Sequence, residues 1–329
     1  MTSFTRRRML GVTGGLLATP FISTSGWAQE WPSRPLRMLV GYPPGGNTDT
    51  LARMYAQAIG EKLGQPCVVE NKPGAGSTIA LNELAKAKPD GYTLLFSTLS
   101  PLVLNRFFQE GVEFTSENDF RFILGLPGNS SPIVVRGDLP IKDLADFVSY
   151  TKEKGGINVG SYGVGSYGDM VYAELEKEYG IKLQLIQYQG EGPMWMDIMN
   201  GALEAALGSY AAAAPLIQSG KGRAIAVTRE RHASIPDVPT MGEQGGKSEV
   251  YNLVTFMNCV TNKQVPDEIV ERLGQIVVEA SSSERGRPVV ETYNPVPIIL
   301  GPKEADALFA KDLPVWLRMG QELKDRMKS

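Results

Sequence analysis

Histidine and cysteine are nearly absent: His232 is the sole imidazole, and Cys67 and Cys259 are the only thiols, in 329 residues. One histidine cannot build a multi-imidazole metal site and no cysteine pair has C-x-x-C spacing, so no resident metal is expected. There is no G-x-S-x-G nucleophile elbow and no Walker lysine loop, the common signs of acyl and phosphoryl chemistry. His232 falls in the charged run Arg229-Glu230-Arg231-His232, where a solvated loop residue is expected. No catalytic residue and no cofactor are assigned. Long apolar runs are also missing: Leu10–Ser23, broken by glycine and proline, falls short of the roughly 20 residues that cross a bilayer. Positive charge is in deficit, with a net charge of −3, which argues against a nucleic-acid partner.

The N-terminus does carry an export pattern. Thr5-Arg6-Arg7-Arg8-Met9-Leu10 is a twin-arginine type basic region, an apolar stretch follows, and Gly26-Trp27-Ala28 offers a small-x-small cleavage site. Residues 1–28 therefore read as a signal peptide, and the mature chain is expected to begin at Gln29 in the periplasm. Its removal takes away three arginines and no acid, lowering the formal charge from −3 to −6. In an oxidising compartment Cys67 and Cys259 could pair, but two buried thiols fit their apolar surroundings equally well.

Glycine is plentiful, and it is concentrated after strands. The apolar strand Leu36–Val40 runs into Tyr42, Pro43, Pro44, Gly45 and Gly46. Asn47, Thr48 and Asp49 follow as acceptors for the free amides of a helix from Thr50. A second turn, through Gly76, Ser77 and Thr78, repeats the pattern. Unpaired N–H groups and the helix dipole make each such start an anion-binding position. Gly46 is where a bulky side chain is expected to obstruct backbone approach to a ligand.

A third loop, Gly163-Val164-Gly165-Ser166-Tyr167-Gly168, matches G-x-G-x-x-G between the strand Ile157–Ser161 and a helix Asp169–Tyr179. That context admits a rival reading, an exported dinucleotide-dependent oxidoreductase using Gly163–Gly168. The next strand, Leu183–Tyr188, should then end in an acid for a ribose hydroxyl. It ends Tyr188-Gln189, with Glu191 only beyond. The same glycines, with Ser161 and Ser166, can equally wrap a carboxylate at a helix start.

Strand and helix patterns alternate twice, giving an α/β fold of two doubly wound domains. Leu36 to Phe96 reads as a βαβαβ unit of a parallel sheet. From Ile133 the pattern restarts with strands Ile133–Arg136, Ile157–Ser161, Leu183–Tyr188, Ala202–Leu207 and Ala224–Thr228 and helices Lys142–Lys154, Asp169–Tyr179 and Pro193–Asn200. Each half is expected to have its own core. Leu253–Val260, a helix Asp267–Ala280 and a helix from Lys303 containing Trp316 are too little for a third domain and should return to the first. Residues 29–125 with 252–329 form domain 1 and residues 126–251 form domain 2, with crossings near Phe122–Pro127 and Tyr251–Phe256. A ligand then lies between the carboxyl ends of two sheets. The first domain would present Tyr42, Pro44, Gly45, Gly46, Asn47, Thr48, Asp49, Gly76, Ser77, Thr78, Ser97 and Thr98. The second would present Ser161, Gly163, Gly165, Ser166, Tyr167, Tyr188, Gly190, Glu191, Asp197 and Tyr210.

GYPPGGNTDTLAR, VVENKPGAG, AKAKPDGYTLL, GSYGVGS, YQGEGPMWMDIMNG, IPDVPTMGEQG and VPDEIVERL occur in that order. Together they resemble Bug-type (TctC-like) solute receptors of tripartite tricarboxylate transporters. The resemblance covers essentially the whole mature chain. It implies a periplasmic binding protein type II-like fold hinged at the two crossings. It also implies a non-catalytic, monomeric receptor that passes a small organic acid to the membrane subunits of such a transporter. In one place this chain departs from the family: Asp169, in GSYGVGSYGDM, stands where the family usually carries histidine. An acid facing the cleft there would repel a ligand carboxylate or attract an ammonium.

Overall fold

The computed structural model describes residues 31–188 and 190–326. The signal peptide expected at residues 1–28 lies outside them. In chain order the elements are β1 (Leu36–Val40), α1 (Asn47–Leu63), β2 (Cys67–Asn71), α2 (Thr78–Ala85), β3 (Thr93–Thr98), α3 (Leu99–Phe108), α4 (Ser116–Asp119) and β4 (Phe120–Pro127). Then come β5 (Pro132–Arg136), α5 (Leu144–Lys154), β6 (Ile157–Ser161), α6 (Tyr167–Tyr179), β7 (Leu183–Gln187), α7 (Glu191–Met199), β8 (Ala205–Leu207), α8 (Tyr210–Gln218) and β9 (Gly222–Val227). β10 (Phe256–Asn262), α9 (Asp267–Ser282), α10 (Arg287–Tyr293) and α11 (Pro302–Arg326) complete it.

These strands form two five-stranded sheets, in the orders β2-β1-β3-β10-β4 and β7-β6-β8-β5-β9. β1 pairs in parallel with β2 and β3, and β6 with β7 and β8, as crossover helices demand. The sheets are mixed, however, where purely parallel ones are expected from the sequence. β10 runs antiparallel between β3 and β4, and β5 antiparallel between β8 and β9. Each of these strands follows a chain crossing from the other sheet, so no right-handed crossover sets its direction.

Two short links join the lobes and are tied together where Gly128 N–H donates to Thr255 O at 2.9 Å, while Arg229 N–H, just beyond β9, holds the second link's start by donating to Tyr251 O at 2.7 Å. Each lobe has an apolar cluster of its own, the second lobe's built on Val134, Met194, Trp195, Ile198 and Leu216, and the lobes also share one. Trp316 of α11 is fully buried against Tyr167 of α6, with ring centroids 6.2 Å apart. One apolar cluster thus runs from Leu39 and Leu95 of the first lobe to Val135, Val159 and Leu207 of the second. A second cluster, with Tyr55, Phe96 and Val270, fills only the α1 and α9 face of the first sheet. Cys67 and Cys259 are free thiols on β2 and β10, with β1 and β3 between them, so no disulfide forms.

Candidate ligand site between the two sheets

The carboxyl ends of β1, β2 and β3 bring three loops of the first lobe together. Ser77 Oγ donates to Gly41 O at 3.1 Å, and a Cβ on Gly41 would fall 2.4 Å from that of Ser77, so only glycine allows the two loops to touch. Tyr42 and Thr98 share a hydroxyl hydrogen bond of 2.8 Å, which joins the β3 end to the same surface. Asn105 of α3 holds the second turn, donating to Gly76 O at 2.8 Å and Thr78 Oγ1 at 2.9 Å. Ala75, Gly76 and Ser77 all have positive φ, a conformation that costs a non-glycine residue about 1 kcal/mol or more.

The first turn is braced by its own helix. Gly45, at φ +91°, directs its N–H to Asp49 Oδ2 at 2.9 Å. Asn71, at the end of the neighbouring strand, donates to Asp49 Oδ1 at 2.8 Å. Arg53, one turn further along α1, bonds the same carboxylate with its Nε at 3.0 Å. Its hydrogen bond is the largest cause holding the Asp49 carboxyl down to about 2, with Gly45 and Asn71 adding to it. Asp49 is thus a buried brace, while Gly45, Gly46 and Asn47 remain exposed above it.

The second lobe repeats the device. Gly165, at φ +73°, donates to Asp169 Oδ2 at 2.9 Å, and Gln187 at the end of β7 approaches that carboxylate at 3.3 Å. Ser166 caps α6, and its hydroxyl lies 3.2 Å from that of Ser161. What is missing is the cation: four residues after Asp169 stands Ala173. Burial therefore dominates and raises the Asp169 carboxyl above its ordinary range, opposed only by hydrogen bonds from Ser161, Gly165, Gln187 and Ser166.

Several expected ligand residues are occupied elsewhere. Tyr167 is a correction: α6 starts two residues before the expected Asp169, which turns this ring into the core, where its hydroxyl donates to Val250 O at 3.0 Å. Glu191 accepts from Ser209 N–H at 3.0 Å and Ser209 Oγ at 2.6 Å, tying α7 to the start of α8, and burial pushes its carboxyl up. Asp197 accepts from Tyr188 Oη at 2.6 Å. Tyr210 stacks on His232 with centroids 4.6 Å apart. His232 is 3% exposed and its imidazole is pushed down by burial, which corrects its expected solvated placement. Gly46 is extended, at φ −83°, so the demand for glycine falls on Gly45 instead. Pro44 and Gly190 stay on the loops where the sequence puts them, Gly163 is half-buried, and Ser97 is buried beneath Thr98.

Other residues join the site without having been expected there. Asn71 and Gln187 end the strands beside β1 and β6, a position the strand-end rule could have flagged. Phe108 of the first lobe lies against the second lobe's loop: a Cβ on Gly165 would fall 2.3 Å from its ring. No spacing in the sequence announces that contact. Among the described residues no group of three or more His, Cys, Asp or Glu side chains could hold a metal ion.

Two α/β lobes crossed twice by the chain, with braced glycine loops at the sheet ends, define the class of two-domain solute-binding receptors. A family model described as "Tripartite tricarboxylate transporter family receptor" matches residues 51–290, and the chain belongs to that family. It is 28% identical to the protein BugT of Bordetella pertussis over 324 residues, covering 98% of this chain and 99% of BugT. MatC of Rhodopseudomonas palustris, solved with bound malate, superposes with a TM-score of 0.73 at 25% identity, covering 89% of this chain and 100% of that one. Another R. palustris protein, solved with adipate, gives 0.76 at 25% identity, covering 89% and 98%. The family is one of receptors, not enzymes, so the oxidoreductase reading of Gly163–Gly168 is set aside. The β7 end agrees with this, since Gln187 there serves Asp169.

Proposed function

We propose that this chain is a periplasmic, monomeric receptor that captures a small carboxylate-bearing metabolite between its lobes and delivers it to the membrane subunits of a tripartite tricarboxylate-type transporter. The observation that carries the reading is the pair of glycine loops, each with a buried aspartate beneath it receiving one glycine N–H at 2.9 Å. The remaining amides at the α1 and α6 starts are left for an anion, with Thr48, Ser161 and Ser166 hydroxyls beside them. Bridging waters fit such a site. Domain 1 takes residues 29–125 and 252–329, domain 2 residues 126–251, and ligand draws them together about the two links.

A thermal-shift screen of mono-, di- and tricarboxylates, amino acids and aromatic acids tests this. At 100-fold excess over Kd, a true ligand adds about 2.7 kcal/mol of stability. A chain that no small organic acid stabilises contradicts the reading.

A further inference from the structure

The loop over Asp169 is made of residues that fix little by themselves. Gly163, Gly165 and Gly168 follow one another closely, Gly165 at φ +73°, and a glycine backbone moves among many conformations. In the first lobe, Pro43 and Pro44 stiffen the corresponding loop, and Arg53 closes the brace on Asp49 at 2.9 Å. Residues 161–169 contain neither proline nor a cation, so their shape needs walls from outside.

Both walls come from the first lobe. The Phe108 ring of α3 covers Gly165, its edge 2.3 Å from where a Cβ would stand. Trp316 of α11, fully buried, meets the Tyr167 ring at a centroid distance of 6.2 Å. Tyr167 is itself 2% exposed, and its hydroxyl bond to Val250 O at 3.0 Å fixes the direction of the ring. The backbone N–H of the same residue stands in the first turn of α6, among the amides a helix leaves without an intrahelical partner. Tyr167 thus joins the anion-binding helix start to the contact with the other lobe.

The two walls are joined to each other. Gly320 lies one turn after Trp316 on the same face of α11, and a Cβ there would fall 2.4 Å from the Phe107 ring and 3.0 Å from the buried Leu104. Phe107 adjoins Phe108, with ring centroids 6.2 Å apart. Contacts therefore run in a closed circuit from Gly165 through Phe108, Phe107, Gly320 and Trp316 to Tyr167, and back along the loop. Resting on the receptor reading above, we propose that α3 and α11 of the first lobe form an aromatic bracket that holds the second lobe's loop in its anion-binding shape. The second lobe's half of the site is complete only while the bracket grips it. Phe108 and Trp316 are positioning residues that touch the loop, and Gly320 sets the distance between them by letting α3 and α11 approach. A loop ordered before the ligand arrives loses less entropy on binding.

Hydrogen–deuterium exchange of the ligand-free mature chain tests this, with the backbone amides of residues 43–50 as the reference for those of 162–169. Gly320→Ala favours the helix by propensity, but its methyl drives α11 away from Phe107 and Leu104. Phe108→Ala removes the other wall at a half-buried position. Each variant is expected to speed exchange at 162–169 by about tenfold or more and to leave 43–50 unchanged. Leu323→Ala thins the same α6–α11 seam two turns beyond Trp316, beside Ile181, and should leave 162–169 as in wild type. A merely structural role would loosen the seam in all three variants alike. Exchange at 162–169 that either bracket variant leaves unmoved, or that Leu323→Ala speeds equally, overturns the inference. No ligand enters the measurement, so the acid screen decides the receptor reading separately.

Discussion

Asp169 Oδ2 receives the Gly165 N–H at 2.9 Å, the same bond that Asp49 makes to Gly45 in the other lobe. Each aspartate lies four residues after its glycine and in the first turn of its helix, and each meets an amide side chain from the next strand. The two anion-binding loops are one device used twice, and the neighbours of each carboxylate set opposite responses to pH.

Asp49 is expected to support stability at neutral pH. Its folded pKa, about 2, lies below the unfolded value of about 3.9. Such a group contributes stability that is present above the unfolded value and lost as pH falls through the folded one. Asp49→Ala should cost about 1.5–3 kcal/mol at pH 7, the range for a hydrogen bond to a charged group. Urea unfolding of both proteins checks this, with the gap narrowing as the buffer approaches the folded pKa.

Asp169 should behave in the opposite sense. Burial raises its folded pKa above the unfolded value, so its favourable state is protonated and its contribution is lost as pH rises through the folded pKa. Asp169→Asn should leave Tm nearly unchanged in acid and raise it relative to wild type progressively as pH climbs above the ordinary carboxylate range. A melting series across pH for the two proteins reads the difference directly.

Much of this arrangement was legible from residues. β1, its glycine turn and the helix behind it follow from apolar residues running into Gly45 and Gly46 and then polar caps, and the β6 to α6 step follows likewise. Helices α3 and α8 were not read from the sequence, and each contains a proline, Pro101 and Pro215. Pro101 sits in the first turn, where its missing N–H costs nothing, and Pro215 lies inside α8. The antiparallel placements of β5 and β10 depend on the return path of the chain and leave no local mark. Asn71 with Asp49, and Gln187 with Asp169, are pairs made by strand register, which a single sequence does not display. The burial of His232 behind Tyr210 arises from a tertiary stack that overrides its charged local run.

Phe108 and Gly165 couple the lobes. A methyl at Gly165 would both meet the Phe108 ring at 2.3 Å and occupy a φ of +73°, so Gly165→Ala should be destabilising and should weaken ligand binding. Phe108→Ala should relieve the steric part alone. A double-mutant cycle is expected to show a coupling of about 0.5–3 kcal/mol between the two positions, read by thermal unfolding.

The central claim is that backbone amides, not a cationic side chain, hold the ligand carboxylate. Arg53 is occupied by Asp49 and by Asn71 Oδ1 at 2.9 Å, whereas Gly45 stands exposed with positive φ at the turn itself. Calorimetric titration of the tightest organic acid against wild type, Gly45→Val and Arg53→Ala is the most direct measurement. Gly45→Val forces a β-branched residue into a backbone conformation it resists, and should weaken binding by tenfold or more, about 1.4 kcal/mol, with Arg53→Ala costing clearly less. Loss of binding in Arg53→Ala alongside intact affinity in Gly45→Val would contradict the amide cradle and put a direct ion pair in its place.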